Sequence, residues 1–518
     1  MPAERNFFSR FMPYALLVLA VLAAYSNVYG NAFLYDDQFL ISENNFLKSF
    51  AHLADIFTSS TTAGFGTRDP FYRPLQIFLY LIVYQLFGLK IWAFHALNVA
   101  MHALNACLVF VLAGRLGLRR APALAATLLW AVHPLHTEAV TYMSATADPL
   151  HVAFLLGGLL IWQSDNLRRQ LASLALFILA LLSKEAAVVM PALLAATLFF
   201  ARAPLKAYRQ TWPLWLIAVL YVVSRGTILN FDNSFNLYLH ANVYTQSMAT
   251  RFFSFLATLP VYAGLLVAPF GLHMERSLDV YMDLSYAVVW KGLALLLFAA
   301  LVAVFGIRWQ KNPALRALAF GVLWFFAAYF PCTGIFVPVN AIVLEHWMYL
   351  PAIGLFLGVG QALAIWLDKK PLAEMAAMTV AGVVFILFAL LTWQQNGVWR
   401  DPVTFYTHIL EFERGSARVH NNLAMAYSEK QQEDLAIYHY QTAIEREDHY
   451  PQTHFNLGKL LINNGKAAEG VAQMKRAMEI DPTFYRAAEG LAEYYAKTGQ
   501  KALARQYEKR AREMQRQP

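Results

Sequence analysis

Ile91-Trp-Ala-Phe-His-Ala-Leu-Asn-Val-Ala-Met-His-Ala-Leu-Asn-Ala-Cys-Leu-Val-Phe-Val-Leu-Ala113 contains no Asp, Glu, Lys or Arg. A bilayer-spanning helix needs about 20 mostly apolar residues, and this run supplies them. Its strongly polar residues, His95, Asn98, His102 and Asn105, step by three, four and three, so a helix brings them to one face. Polar groups at bilayer depth face a bundle interior or a wet cavity. The run therefore reads as one member of a helix bundle. Interhelical hydrogen bonding and a substrate cavity both suit its polar face.

Runs of this kind recur from Phe11 to Trp393. Only 14% of the 518 residues are charged and 58% are hydrophobic, whereas a soluble protein carries about a quarter charged residues. Beyond residue 397 the chain turns polar, charged and rich in Ala. The expected fold is all-α: a polytopic bundle of about eleven spans over 1–397, then a soluble α-solenoid over 398–518. The net charge of +8 sits largely in basic loops between spans and makes no case for nucleic-acid binding. Cys107 and Cys332 cannot build a disulfide framework, and the sequence does not say whether they pair. No Asn-x-Ser/Thr acceptor occurs, which favours a bacterial inner membrane over the alternative, the endoplasmic reticulum.

Arg5 and Arg10 precede Phe11–Tyr29, which places the N-terminus in the cytoplasm. We read that segment as a retained span rather than a signal peptide, because many spans follow it. The loop over 30–71, with Tyr35-Asp36-Asp37, is then external. The basic clusters Arg115/Arg119/Arg120, Arg168/Arg169, Arg202/Lys206/Arg209, Arg308/Lys311/Arg316 and Lys369/Lys370 are assigned to the cytoplasm. Crossings between them must then be even in number. Parity makes Phe71–Leu89 a helix lying on the outer face. It also makes 226–286 an external loop with a re-entrant or surface-lying helix at Phe252–Phe270. The remaining spans, Ala121–Val140 among them, alternate. The repeats fall outside. The convergence of His133-Pro-Leu-His136-Thr-Glu138, Asp148, Lys184-Glu185 and Glu345-His346 on the side of the Asp pair is not built into the charge rule.

In the polar tail Leu423, Leu457 and Leu491 recur at a 34-residue period, as do Ala443, Ala477 and Ala511. Ala424, Gly458 and Ala492 share it, and Tyr427 and Tyr495 match with Leu461 between them. Small residues at these offsets are the tetratricopeptide signature of paired antiparallel helices. Pro402–Phe412 reads as one more helix joining the array to the membrane. Such arrays dock peptides or partner proteins. A structural lid or dimerisation surface is the plainer reading.

An adjacent pair such as Asp36-Asp37 is ordinarily a solvated cap. At the mouth of a membrane cavity it also suits a catalytic base. His133, His136 and Glu138 have metal-ligand types but weak spacing, so no metal site is assigned and they read as a cavity wall. Asp148, in Ala-Asp-Pro, suits a helix N-cap. Lys184 at a helix end is costly unless paired or facing an anion, and the adjacent Glu185 is its candidate partner. Glu345, His346 and Tyr349 open a span, and Arg73, Arg251 and Arg276 are further external cations. Acids and cations at the outer end of an apolar bundle suit transfer from a lipid-phosphate donor: a carboxylate takes a proton and cations stabilise the leaving phosphate. No Walker loop, Rossmann glycine pattern, Gly-x-Ser-x-Gly or His-Glu-x-x-His occurs.

Tyr35-Asp36-Asp37, Tyr72-Arg73-Pro74-Leu75, His133-Pro-Leu-His-Thr-Glu-Ala-Val140, Ala147-Asp148, Ser183-Lys184-Glu185 and Glu345-His-Trp-Met-Tyr-Leu-Pro351 occur in that order before the repeats. This ordered set resembles the transmembrane and tetratricopeptide-repeat-containing O-mannosyltransferases and their bacterial relatives, within the GT-C glycosyltransferases. The resemblance covers nearly the whole chain. It implies a polyprenyl-phosphate sugar donor and an external site. It implies inverting transfer, usually metal-independent and with no cofactor, to a hydroxyl, often Ser or Thr of a protein. It points to Asp36 or Asp37 as base and to Asp148 as a second required acid. Arg73, Lys184, His346 and Arg276 are the candidates for the donor phosphate. Tyr35, His95, His102, His133, His136, Glu138, Glu185, Glu345 and Tyr349 are the candidate cavity residues. His346 departs from the pattern, where relatives often carry Arg, so its protonation would matter if it meets the phosphate. The repeats would dock a protein acceptor such as a pilin. A glycolipid or envelope-polysaccharide acceptor and a non-catalytic scaffold are the other readings.

Overall fold

The computed structural model describes residues 2–163, 165–238 and 241–515. Among these residues every regular element is helical, and the chain divides into two compact units, Met1–Arg400 and Asp401–Pro518. In the first unit we label α1 (Pro2–Ala24), α2 (Pro74–Phe87), α3 (Ile91–Arg115), α4 (Arg120–Ala131), α5 (Ala147–Ile161), α6 (Leu167–Ser183) and α7 (Met190–Phe200). There follow α8 (Trp212–Gly226), α9 (Met248–Val267), α10 (Ala287–Arg308), α11 (Pro313–Tyr329), α12 (Tyr349–Trp366) and α13 (Pro371–Asn396). Seven helical stretches among the described residues are long and apolar enough to cross a membrane: Ile91–Arg115, Met143–Ile161, Met248–Val267, Ala287–Arg308, Pro313–Cys332, Glu345–Trp366 and Pro371–Trp399.

Contacts between helix ends fall into two sets. In one, the Asn396 amide at the end of α13 donates to Ala24 O at the end of α1, at 2.9 Å. His95, in the first turns of α3, bonds Asn31 O at 3.0 Å. In the other set Arg119 before α4 pairs with Glu374 in α13 at 2.7 Å, and Arg202 after α7 donates to Gln310 O after α10. The first set holds the Asp pair and the second holds the basic clusters, so the bundle has an acidic end and a basic end.

α9 is long enough to cross, yet three of its side-chain and carbonyl bonds go to residues of the acidic end. Arg251 donates to Ile335 O, Tyr262 to Leu344 O, and Leu266 O lies 3.1 Å from His133 Nε2. A Cβ on Gly292, in the second turn of α10, would run into the carbonyl oxygen of Leu256 midway along α9. α9 is therefore tied to residues of that end near its start, its middle and its last turn. Residues 239 and 240 of the preceding loop lie outside the described residues.

The expected span Ala121–Val140 is interrupted. α4 has 12 residues, about 18 Å at helical rise, and stops where Pro134 supplies no N–H. His133 Nδ1 accepts from Leu135 N–H instead. From 132 to 146 the chain runs in short turns, and every residue of that stretch is buried. Irregular backbone at membrane depth survives only inside protein. α11 and α12 pack most closely through small residues: a Cβ on Gly358 would lie 2.7 Å from Ala317 O, and one on Gly321 2.9 Å from Gly354 O.

The second unit is α14 (Pro402–Phe412), then antiparallel pairs α15 (Ala417–Glu429) with α16 (Glu433–Arg446), α17 (Pro451–Asn463) with α18 (Ala467–Ile480), and α19 (Tyr485–Lys497) with α20 (Lys501–Gln515). The periodic residues Ala424, Leu457, Leu461, Ala477, Leu491 and Ala511 are buried between these helices. Gly458 lets α18 approach, since a Cβ there would sit 2.8 Å from Gly470 O.

Candidate active site

The Asp pair sits on a strained strap. Tyr35 has φ +52, a left-handed value uncommon for a bulky residue. Directly after Asp37 the chain makes one π-helical turn, Gln38–Ser42, closed by Glu43 N–H on Gln38 O at 2.9 Å. Strain of this kind persists where the surroundings hold it. Asp37 is the anchor. It is buried, and its carboxylate accepts from Leu34 N–H at 2.9 Å, Ser144 N–H at 2.7 Å and the Ser144 hydroxyl. Burial pushes its carboxyl up to about 7 against the pull of those bonds. Asp36 is half-buried, and its backbone N–H donates to the Tyr142 hydroxyl at 2.9 Å. The Tyr35 hydroxyl donates to Glu275 Oε1 at 2.7 Å, tying the strap to the loop after α9.

Each candidate phosphate-binding cation stands beside a carboxylate. Arg73 grips Glu185 with two hydrogen bonds, at 2.6 and 3.1 Å, and lies over the Phe71 ring. Burial alone raises the Glu185 carboxyl, and the Arg73 guanidinium overrides it and holds it at about 2. Lys184 pairs with Asp148 at 2.6 Å, not with Glu185. Successive residues at the helix end point apart, so Glu185 turns to Arg73 and Lys184 turns inward. His346 Nδ1 lies 2.8 Å from Glu138 Oε1, and its backbone N–H donates to the other oxygen at 3.0 Å. Arg276 lies 3.5 Å from Glu345, which also accepts from His273 N–H at 2.8 Å. Asp148 is within electrostatic reach of Lys184 and His346, and Arg73 of Asp148 and Asp69. The pairs therefore form one cluster.

The polar face of α3 holds up the irregular segment. His102 bridges Ala131 O and the Tyr349 hydroxyl, both at 2.7 Å. Asn98 donates to Val140 O and Tyr142 O, each at 3.2 Å, and Asn105 to Pro149 O at 2.8 Å. Ala131 O, Val140 O and Tyr142 O belong to backbone at or beyond a helix end, where carbonyls lack intrahelical donors, whereas Pro149 O lies in the first turn of α5 and takes the Asn105 amide as an added donor. Gln76 and Tyr80 of α2 do the same for Ser144 O and Met143 O. His136 is fully buried between the Trp130 and Tyr349 rings, 5.1 Å from each, and neither ring nitrogen is hydrogen-bonded. Among the described residues no group of three or more His, Cys, Asp or Glu is placed to hold a metal ion.

The chain is similar to protein O-mannosyl-transferases. It is 23% identical over 510 residues to TMTC3 of Mus musculus, covering 91% of this chain and 55% of that protein. It is 25% identical over 497 residues to TMTC4 of Homo sapiens, covering 82% and 66%. The chain spans about half the length of the curated relatives it matches first. The tetratricopeptide repeat family model matches residues 417–450 and 451–484. Among solved structures it is similar to ArnT from Cupriavidus metallidurans bound to undecaprenyl phosphate, with 14% identity and a TM-score of 0.40 over 92% of this chain and 80% of that one.

Beside those relatives, the sequence reasoning missed Ser144, Tyr142, His273 and Glu275 as supports of the cluster. Only Ser144 carried a signal, lying four residues before Asp148 on one buried turn. Arg251, read as an external cation, is spent on backbone carbonyls of Tyr244, Thr245 and Ile335. Cys107 and Cys332 are both free thiols.

Proposed function

We propose that this chain is a membrane glycosyltransferase. It moves one sugar from a polyprenyl-phosphate donor to a Ser or Thr hydroxyl of an exported protein, such as a pilin, with inversion. The observation that carries the reading is the division of labour in the Asp pair. Asp37 is buried, accepts three hydrogen bonds and fixes the strap, while Asp36 beside it is half-exposed at the same acidic end as the ion pairs.

In this mechanism Asp36 takes the proton of the acceptor hydroxyl. The hydroxyl oxygen forms its bond to the anomeric carbon as the bond from that carbon to the phosphate oxygen breaks, and the lipid phosphate leaves with the electron pair. A single displacement inverts the anomeric centre. Arg73 and Arg276, 17% and 19% exposed at the side chain, are the proposed cationic partners of that phosphate, and His346, 15% exposed, is a proposed hydrogen-bond partner. Lys184 and Asp148, each 6% exposed, serve more naturally to position one another and the Met143–Thr146 turn. An apolar groove of about 420 Å³ between α4, α12 and α13 runs from Leu266 to Leu367 and suits an isoprenoid tail. The tetratricopeptide unit is assigned to the protein acceptor, the N-terminus to the cytoplasm, and the site and repeats to the periplasm.

The test compares intact masses of envelope proteins from cells carrying wild type or Asp36→Asn, with insertion of both confirmed. A protein lighter by one sugar in the variant supports the transferase and identifies acceptor and sugar together. A shift confined to glycolipids moves the acceptor to lipid, and no shift in either class leaves a scaffold.

A further inference from the structure

The basic end of the bundle holds a feature that transfer chemistry does not use. Residues 200–212 and 305–318 contain Arg202, Lys206, Arg209, Arg308, Lys311 and Arg316 and no acid. The turns after α7 and α10 enclose a cleft of about 710 Å³ lined by Arg202, Arg308, Lys311, Trp309 and Asn312. Arg202, in left-handed backbone at φ +53, and Arg316 both donate to the same carbonyl, Gln310 O. Two guanidiniums thereby meet at one carbonyl of the cleft wall, and of the two Arg202 lines the cleft. Among the described residues none of Arg202, Arg308, Lys311 and Arg316 has a carboxylate partner within ion-pair distance. This contrasts with the acidic end, where the candidate cations are paired.

A cytoplasmic topology signal needs only the number of cations near a span. It does not need them to converge on a cleft or to strain the backbone. The rim adds a second character. Trp309 is half-exposed and stacks on Phe305 at 4.6 Å between ring centres, and the exposed Ile307 lies alongside, so the cleft opens beside apolar surface. Cations beside an interfacial Trp suit an anion that carries acyl chains.

We propose that this cleft binds the phosphate headgroup of an anionic membrane phospholipid. Arg308 and Lys311, both exposed, supply charge from the α10 side and Arg202 from the α7 side. The bound lipid would bridge the two helix ends across a site separate from the transfer centre.

Full-length protein is reconstituted in phosphatidylcholine vesicles containing phosphatidylglycerol, and retained lipid is read by native mass spectrometry after extraction. Wild type should retain phosphatidylglycerol over phosphatidylcholine, and Arg308→Gln/Lys311→Gln should weaken that preference roughly tenfold or more. Lys369→Gln/Lys370→Gln removes the same charge from a basic turn that does not line the cleft, and should keep the preference. Equal loss in both variants would reduce the cleft to bulk charge and overturn the proposal. Displacement of the lipid by millimolar inorganic phosphate would replace a lipid site with a free-phosphate site and overturn it as well. Apparent melting temperatures of the two variants within a few degrees of wild type establish that folding does not decide the result.

Discussion

At the scale of single residues, the two members of the Asp pair should fail in different ways. Asp36→Asn should abolish transfer and leave stability near wild type, because the backbone bonds of Asp36 to Tyr142, Phe39 and Leu40 do not use the carboxylate and Asn keeps its size. Asp37→Asn places an amide N–H₂ where a carboxylate oxygen now accepts, which should cost about 1–3 kcal/mol. It should also remove a pH dependence. The Asp37 carboxyl titrates near 7 in the folded chain against a reference value of 3.8. Between those values the folded state keeps a proton that the unfolded state has released. Its contribution to stability is therefore full below about pH 4 and lost as pH rises through about 7. Asn cannot titrate, so apparent melting measured across that window should fall more steeply for wild type than for the variant. Parallel curves would mean that Asp37 is already ionised throughout. The buried pair offers a separate check. Lys184→Met strands a buried Asp148 and should cost about 3–5 kcal/mol, while adding Asp148→Asn should recover much of it. Additive losses would show that the two do not depend on each other.

Among the elements, the close approach of α11 and α12 sets where Glu345 and His346 stand, since the turn that carries them leads directly into α12. Gly358→Leu must push apart backbones that a Cβ would already meet at 2.7 Å. Overpacking of this kind costs about 1–3 kcal/mol and shifts the backbone. Both melting temperature and transfer should drop, whereas Gly382→Leu in α13, where a Cβ meets nothing within 4 Å, should change neither. Element type was legible in the sequence because long apolar runs and a 34-residue period are local signals. The break in α4 was half-legible: Pro134 marks it, and His133, His136, Thr137 and Glu138 interrupt the apolar run, but nothing local says that the turns which follow are buried. Pairing was not legible. Lys184 lies 36 residues from Asp148, Arg73 lies 112 from Glu185, and His346 lies 208 from Glu138. Composition could show that acids and cations gather at one end. It could not show which cation answers which acid, because that depends on side-chain direction, and neighbours such as Lys184 and Glu185 point apart. The polar face of α3 was visible as a face, but its purpose needed the irregular segment whose carbonyls it meets.

Across the whole molecule, the two units invite different tests because each has its own buried core. The charged cluster, the Asp strap and the apolar groove all lie within Met1–Arg400. If the chemistry resides there and the tetratricopeptide unit selects the acceptor, a chain ending at Arg400 should still transfer sugar to a short Ser- or Thr-containing peptide. It should lose at least about tenfold in kcat/KM toward the folded protein acceptor, because a docking site contributes binding energy that only the larger substrate can use. The loss should fall in KM more than in kcat, since docking adds no group at the reacting centre. The truncated chain is compared with the full chain in the same membrane, with both acceptors and with its melting temperature recorded. Equal loss on peptide and protein, with melting unchanged, would put the second unit into the chemistry itself. Equal loss with lowered melting would make it a structural support of the bundle. Loss on the protein alone leaves acceptor selection as its role, and it predicts that fusing the repeats to an inert carrier would capture that acceptor and no other.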